Sequence, residues 1–324
     1  MSRVLITGAA GRLGRSTVAW FLARGHDVVA VDRVALDATS EAAGHAGAAP
    51  RTVVADLTDA DRAAQVVAEA RPDAIVHLAA IAVPFSAPEP TIFAVNTAMA
   101  FNVCQAGADV GVDAVVVASS PTPIGYGNPR GWTPRYLPLD EDHPLEPWHA
   151  YGLSKVVLEE TVRAFARAAG DRTRFHAVRP CYVIAPEEWA GAPTQQGHTV
   201  RERLLDPALS AVALFNYVDA RDAAALFECL VTAGDEVPNG EVFFAAAPDA
   251  LATAPLAELL PAFHPGTTTA ATALTGDAPA FTAAKAQRLL GWTARHTWRH
   301  ELHDTTDLLT TARAAAPTAP AQEG

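Results

Sequence analysis

The stretch Val4-Leu-Ile-Thr-Gly-Ala-Ala-Gly-Arg-Leu-Gly14 constrains the fold of this chain more than any other feature. Its apolar half reads as a buried strand, and its glycines, Gly8, Gly11 and Gly14, stand at the passage into a helical pattern. Two of the spacings are Gly-x-x-Gly, one residue longer overall than the commoner GxGxxG form. A strand, a glycine loop and a helix start let backbone approach a pyrophosphate, whose charge the helix N-terminus then favours. Arg12 and Leu13 lie within this loop and are placed with the glycines on the cofactor.

The same strand-then-helix order recurs down the chain. Apolar runs at 4–7, 28–32, 52–55, 74–78, 114–119 and 175–178 alternate with helical patterns at 13–24, 61–70, 92–108 and 151–169. Apolar strands separated by helices make right-handed βαβ units, hence a parallel sheet covered on both faces. The expected fold class is α/β, a doubly wound parallel Rossmann sheet with a smaller C-terminal α/β substrate-binding part. We expect the nucleotide-binding domain to span 1–180, with its sheet completed by part of 211–247. The substrate-binding part spans mainly 181–316, and the Ala/Pro-rich 317–324 reads as a flexible tail.

Parallel sheets bind ligands at the carboxyl ends of their strands, so the residues there are the cofactor candidates. Asp32 closes the second strand, where a carboxylate accepts the adenosine ribose hydroxyls and repels a 2′-phosphate. This favours NAD, although the guanidinium groups of Arg33 and Arg12 leave NADP open. Asp56 and Leu57 close the third strand, facing the adenine. Leu78, Ala79 and Ala80 close the fourth, where small residues let the cofactor lie against backbone.

Tyr151 and Lys155 begin a strong helical pattern four residues apart, on one face. A free phenol is a poor base at neutral pH, and a neighbouring cation stabilises phenolate. The pair can therefore move a proton to or from a substrate hydroxyl. Upstream, Ser119, Ser120 and Thr122 lie where the fifth strand ends.

These segments in this order, "TGAAGRLG", "ADL", "HLAA", "AVNTA", "ASS" and "YGLSK", resemble the extended short-chain dehydrogenase/reductase family of the NAD-dependent epimerase/dehydratase type. The likeness runs over about residues 3–235, with "YVDARDAA" and "AQRLLGW" continuing it. It implies a Rossmann domain, a dinucleotide, and a Ser/Thr–Tyr–Lys set in which Tyr151 is the acid/base and Lys155 also holds the nicotinamide ribose. It adds Asn96 and Pro180 to the cofactor candidates, and implies a homodimer through the helices at 92–108 and 151–169.

The assisting hydroxyl has two registers. Sugar-nucleotide members resemble "SSxxxVYG", which counts back from Tyr126 to Thr122. Uronate dehydrogenases resemble "ASSxxxIGY" without a gap, which points to Ser120, and Ser120 is preferred. Those enzymes carry Asn-His where this chain has Pro121-Thr122, so two substrate contacts are not inherited. The chain reads "VRPCYVIAP" where many sugar-nucleotide enzymes have an Asn that holds the diphosphate, and Cys181 occupies that neighbourhood. Arg201 and Arg203 are candidates for a carboxylate clamp on substrate, against a solvated helix face.

The expected activity is NAD-dependent hydride transfer from a secondary alcohol or lactol of a sugar-like molecule. An epimerase that recycles its cofactor is the alternative, and a cofactor-sensing regulator a weaker one. The net charge of −12 argues against nucleic acid or an anionic membrane as partner. Three scattered cysteines fit a reducing cytoplasm, and no leader, membrane span or metal site is expected. His296 and His300 are four apart, but read as a surface pair for want of further ligands. His143 and His149 flank the loop before Tyr151, where Trp132, Tyr136 and Trp148 either wall or pack a pocket.

Overall fold

A computed structural model describes residues 1–36 and 49–302 of the chain. The expected tail at 317–324, and the end of the C-terminal part at 303–316, lie outside the described residues. The strands are β1 (Arg3–Thr7), β2 (Asp27–Asp32), β3 (Arg51–Val54), β4 (Ala74–His77), β5 (Ala114–Ala118), β6 (Arg174–Pro180), β7 (Val183–Ile184), β8 (Val218–Asp219) and β9 (Val242–Ala245). Seven of them form one parallel sheet in the order β3-β2-β1-β4-β5-β6-β9, while β7 and β8 pair as a second ladder.

The strand residues alternate between two cores, as period-2 geometry requires. Val4, Ile6, Val28 and Val76 pack with Phe21 of α1 (Arg12–Ala23) and with Leu226 and Phe227 further along the chain. Leu5, Val29, Ile75, Val115 and Val117 face the other way. They meet Val66 of α2 (Ala60–Ala70), Val103 of α3 (Glu89–Val110), and Leu158 and Phe165 of α4 (Ala150–Ala169). Val115 and Val117 are fully buried, each worth about 1.5–3 kcal/mol of transfer free energy. This two-sided burial makes the strands read as unbroken apolar runs.

The connections run to one side from β1 through β2 and to the other through β4. Their carboxyl ends therefore part between β1 and β4, the switch point where such sheets bind ligands. The chain then runs through α5 (Pro186–Trp189), α6 (Val200–Leu205), α7 (Pro207–Ala211) and α8 (Ala220–Thr232). Helix α8 covers the sheet face beside α1, and β9 closes the sheet beside β6. A third core of Ile184, Trp189, Val200, Leu204, Tyr217 and Trp298 holds the C-terminal part together above the strand ends.

Polar straps tie this part down. Asp222 accepts from the Arg295 and His296 backbone at 2.9 and 2.8 Å and pairs with the His296 ring at 2.9 Å. That partner raises the pKa of His296, with Asp222 the largest cause. His296 is thus half of an ion pair and not a surface residue without a carboxylate nearby. His300 is exposed, and the described residues contain no group of three or more metal-ligating side chains.

Candidate functional site

One cleft of ≈ 860 Å³ opens at the switch point. Its first half is made by backbone. Gly8 has φ +69°, and a side chain there would press its Cβ to 2.7 Å from the Ala79 nitrogen. Gly14, in the first turn of α1, lies so close to the loop that a Cβ would stand 2.8 Å from Ala9 Cα. Both positions need glycine, for backbone shape at one and close helix-to-strand approach at the other. Thr7 shares a 2.7 Å hydrogen bond with His77, and its hydroxyl accepts from Leu78 and Ala79 at 3.2 Å each. The β4 terminus is thereby bent against the glycine loop. His77 is buried, which pushes its pKa down to about 3 and keeps this bridge neutral.

Gly8, Gly11, Arg12, Leu13, Gly14, Asp32, Arg33, Asp56, Leu57, Leu78, Ala79, Ala80 and Pro180 all line this cleft, together with Tyr151 and Lys155. Asp32 accepts from the Ala10 backbone at 3.0 Å, so the carboxylate that the sequence reading assigns to a ribose also braces the loop. Asp56 accepts from the Thr58 nitrogen and hydroxyl, which holds its carboxyl below the usual range. Arg12 pairs with the buried Glu188 of α5 and donates to the Pro193 carbonyl at 3.0 Å. Asn96 departs from expectation. It is buried, binds the Ile81 nitrogen and carbonyl and the Ser154 hydroxyl, and lies outside the lining. It shapes the loop after β4 that does line the cleft.

The two halves meet at the α4 start. Tyr151 is buried, and desolvation raises its pKa to about 12; the Ser120 hydroxyl acts against this by favouring phenolate. Lys155 donates to the Ala118 carbonyl at 2.7 Å, and its ammonium lies 5.6 Å from the centre of the Tyr151 ring. Burial lowers its pKa to about 8, partly offset by Glu159. The four-residue spacing points to Lys155 as the group that lowers Tyr151. Ser120 acts in that direction, while the Lys155 ammonium donates to the Ala118 carbonyl.

The adjacent hydroxyls take opposite directions, as neighbours at a strand end must. Ser119 also borders the cleft, but its hydroxyl is engaged, donating to the buried Glu159 at 2.6 Å, and Glu159 accepts two 2.8 Å hydrogen bonds from Arg179. Ser120 lines the cleft and accepts from the Thr122 nitrogen and hydroxyl at 3.2 and 3.0 Å. Thr122, in the tight turn Thr122–Ile124, also reaches the lining.

The other half of the cleft, the candidate substrate half, carries the fewest signals in the sequence. Tyr126, Cys181, Tyr182, Gln195, Gln196 and Asn216 line it, with Ile81–Pro84 as a facing wall. Asn216 accepts from the Tyr182 nitrogen at 2.8 Å and lines the cleft together with Tyr126 and Tyr182, so three distant segments meet there. No spacing announces that meeting; a lone Asn before β8 is its only trace. Arg201 is exposed and outside the cleft. Arg203 is also outside the lining: it is buried behind it, donating to Gln196 at 2.7 Å, with its guanidinium 4.3 Å from the Tyr182 ring centre. A helix of one and a half turns cannot send both side chains to one face from positions two apart.

His143, His149, Trp132, Tyr136 and Trp148 serve the scaffold. His143 accepts from the Arg135 nitrogen, Trp132 and Trp148 donate to the Ile124 and Tyr126 carbonyls, and Tyr136 donates to Asp140. His149 caps α4 by accepting from the Gly152 nitrogen at 3.0 Å.

The whole architecture is shared with solved proteins. A UDP-glucose-4-epimerase from Stenotrophomonas maltophila, with bound NAD and formylated UDP-arabinopyranose, superposes with TM-score 0.69 at 22% identity, over 98% of this chain and 100% of that one. A mutated uronate dehydrogenase superposes with TM-score 0.61 at 23% identity, over 93% and 86%. In sequence, a UDP-glucose 4-epimerase of Mycolicibacterium smegmatis is 38% identical over 193 residues, 57% of this chain and 58% of that protein. One from Azospirillum brasilense is 31% identical over 215 residues, 65% and 57%. The chain spans somewhat more than half the length of these curated relatives. The family model for NAD dependent epimerases and dehydratases matches residues 4–246, three-quarters of the chain and every element from β1 to β9. The chain belongs to the NAD-dependent epimerase/dehydratase family.

Proposed function

We propose that this protein is an NAD-dependent oxidoreductase that takes hydride from a secondary alcohol or lactol of a sugar-like substrate. The observation that carries this reading is the meeting of Ser120, Tyr151 and Lys155 at the boundary between a glycine-built half-cleft and a second half lined by neutral hydrogen-bonding groups. The first half fits a dinucleotide: its glycines leave room for a pyrophosphate, and Asp32 stands where an adenosine ribose would lie. When bound, NAD supplies the hydride acceptor. Arg12 and Arg33 leave NADP as a competitor that Asp32 disfavours.

The protein's own groups account for the proton. Tyr151 would take it from the substrate hydroxyl as phenolate, or return it as phenol. Ser120 would donate a hydrogen bond to the oxygen as carbonyl character develops there. Lys155, held by the Ala118 carbonyl, would fix the ribose side and supply positive charge. Thr122 would orient Ser120 by donating to it.

Among the described residues lining the substrate half, none carries a charge; the charged lining residues sit on the cofactor half or at the junction. That favours a free, uncharged sugar over a nucleotide sugar. Arg203 could contribute only from behind Gln196, and a carboxylate-bearing substrate would have to reach it there. Epimerisation is the second reading, favoured by the named activities of the sequence relatives. Incubation with NAD and separate panels of neutral sugars, uronates and UDP-sugars, followed by absorbance of reduced cofactor, tests the choice. Net reduction of NAD with a free sugar is expected. Inversion of a UDP-sugar with no net reduction would replace this reading with the epimerase.

Exposed Phe101 on α3 and Leu153 on α4 support a homodimer through these helices, which sedimentation velocity would test. The three free thiols fit a cytoplasmic setting, and no described helix is long and apolar enough to cross a membrane.

A further inference from the structure

Helix α4 carries both Tyr151 and Lys155, so whatever fixes its first turn fixes the proton-transfer geometry. The first backbone N–H groups of a helix have no intrahelical acceptor and need others. Here Glu89, the first residue of α3, accepts from the Ala150 nitrogen at 2.6 Å, and the His149 ring accepts from the Gly152 nitrogen at 3.0 Å. Serine, threonine, aspartate and asparagine are the usual side chains for this task, and none of them titrates near neutral pH.

Histidine does. Its Nδ1 can accept only while unprotonated, so the cap requires the neutral tautomer with the proton on Nε2. Protonation would convert the acceptor to a donor facing another donor, and would set a positive charge on the positive end of the helix. The His149 ring is also stacked on the Tyr151 ring, with centroids 6.2 Å apart and planes inclined by 16°. It also packs against Phe85 and Trp148, with centroids 5.3 and 4.7 Å away. Phe85 is held at φ +63° in the loop whose residues Ile81–Pro84 wall the cleft.

We infer that His149 is a positioning residue for Tyr151, and that protonating it releases the α4 cap and misplaces the phenol. Among the described residues, the charged group facing His149 is Glu89, which pulls its pKa up, while burial, the larger effect, pushes it down. The folded protein therefore binds this proton more weakly than the unfolded chain does. Stability from the cap is complete above the unfolded pKa near 6.5 and falls as pH drops below it.

The inference rests on the proposed role of Tyr151, so two readouts are taken on the full chain. The melting temperature of the unmodified protein is compared with that of His149→Asn and His149→Ala between pH 7.5 and 5.5. Asparagine keeps an acceptor that does not titrate. Loss of one cap corresponds to a fall of about 2 °C in a chain of this size. The unmodified protein should show that extra fall on acidification, His149→Asn should lack it, and His149→Ala should be lower by that amount already at pH 7.5. Parallel curves for the unmodified and Asn proteins would overturn the switch. The second readout is the pH dependence of kcat for whichever substrate the panel identifies. His149→Asn should retain activity further into acid than the unmodified protein, and superposable profiles would overturn the positioning role. Failure of every substrate would count against the proposed function while the melting curves still decide the cap.

Discussion

The two halves of the cleft are built by different means. The cofactor half is assembled from backbone at consecutive strand ends: Gly8 to Gly14 after β1, Asp32 after β2, Asp56 after β3, and Leu78 to Ala80 after β4. Its shape follows from strand order, so each position is repeatable wherever the same sheet is wound. The substrate half is assembled from side chains of segments far apart in the chain, such as Tyr126, Tyr182, Gln196 and Asn216. One half is a property of the fold, and the other is a property of this sequence. Function lives in the second.

If that division holds, the residue on the boundary should carry the largest effect. Tyr151→Phe removes the proton carrier but not the ring, so turnover should fall roughly 100- to 10,000-fold. The dissociation constant for NAD, measured by calorimetry, should change little. The same phenol sets a pH dependence. Because burial holds it as phenol in the free protein, with a pKa of about 12, the ionised fraction grows as pH rises. Alcohol oxidation should therefore accelerate with pH across the neutral range, and ketone reduction, which uses the phenol, should not.

Next in size is the choice between hydroxyls. Ser120→Ala should lower kcat roughly 100- to 1000-fold, the usual effect of losing one donor to developing charge. Thr122→Val removes only a donor to Ser120 and should cost much less. Equal losses would mean that Thr122 meets the substrate itself.

Two smaller effects separate the halves. Asp32→Ala should narrow the preference for NAD over NADP by about tenfold, or roughly 1.4 kcal/mol, without altering which sugar is used. Tyr126→Phe removes one hydrogen-bonding hydroxyl from the substrate lining, worth about 0.5–1.5 kcal/mol. It should raise the KM for substrate by a few fold and leave cofactor affinity unchanged. A change of cofactor affinity in the Tyr126 variant would undo the division between the halves.

The same contrast explains which parts of the fold and site are legible in the sequence. The glycine loop, the strand-end carboxylates and the Tyr–Lys spacing can be read because local backbone geometry demands those residue types at those intervals. Helix α3 begins at Glu89, ahead of the apolar pattern at 92–108, because its first turn is polar and proline-led. Asn96 carries no mark of its loop contacts in the sequence, since holding a loop and touching a cofactor call for the same amide. The substrate wall leaves no periodic trace at all. Its members are joined by contacts such as Asn216 to Tyr182, which depend on the pairing of β7 with β8. Arg201 and Arg203 illustrate the limit: their sequence positions are nearly equivalent, yet one is exposed and the other is 1% exposed behind Gln196. The burial that raises Tyr151 and lowers Lys155 is equally a tertiary property, invisible in a four-residue spacing.

The most direct test of the two-part cleft is a crystal structure of the protein with NAD diffused into it. We expect the pyrophosphate over Gly8–Gly14, the adenosine ribose on Asp32, and the nicotinamide ribose within hydrogen-bond reach of Tyr151 and Lys155. The nicotinamide would then face a space bounded by Ser120 and Asn216. A dinucleotide lying elsewhere, or one whose nicotinamide points away from Tyr151, would contradict this assignment.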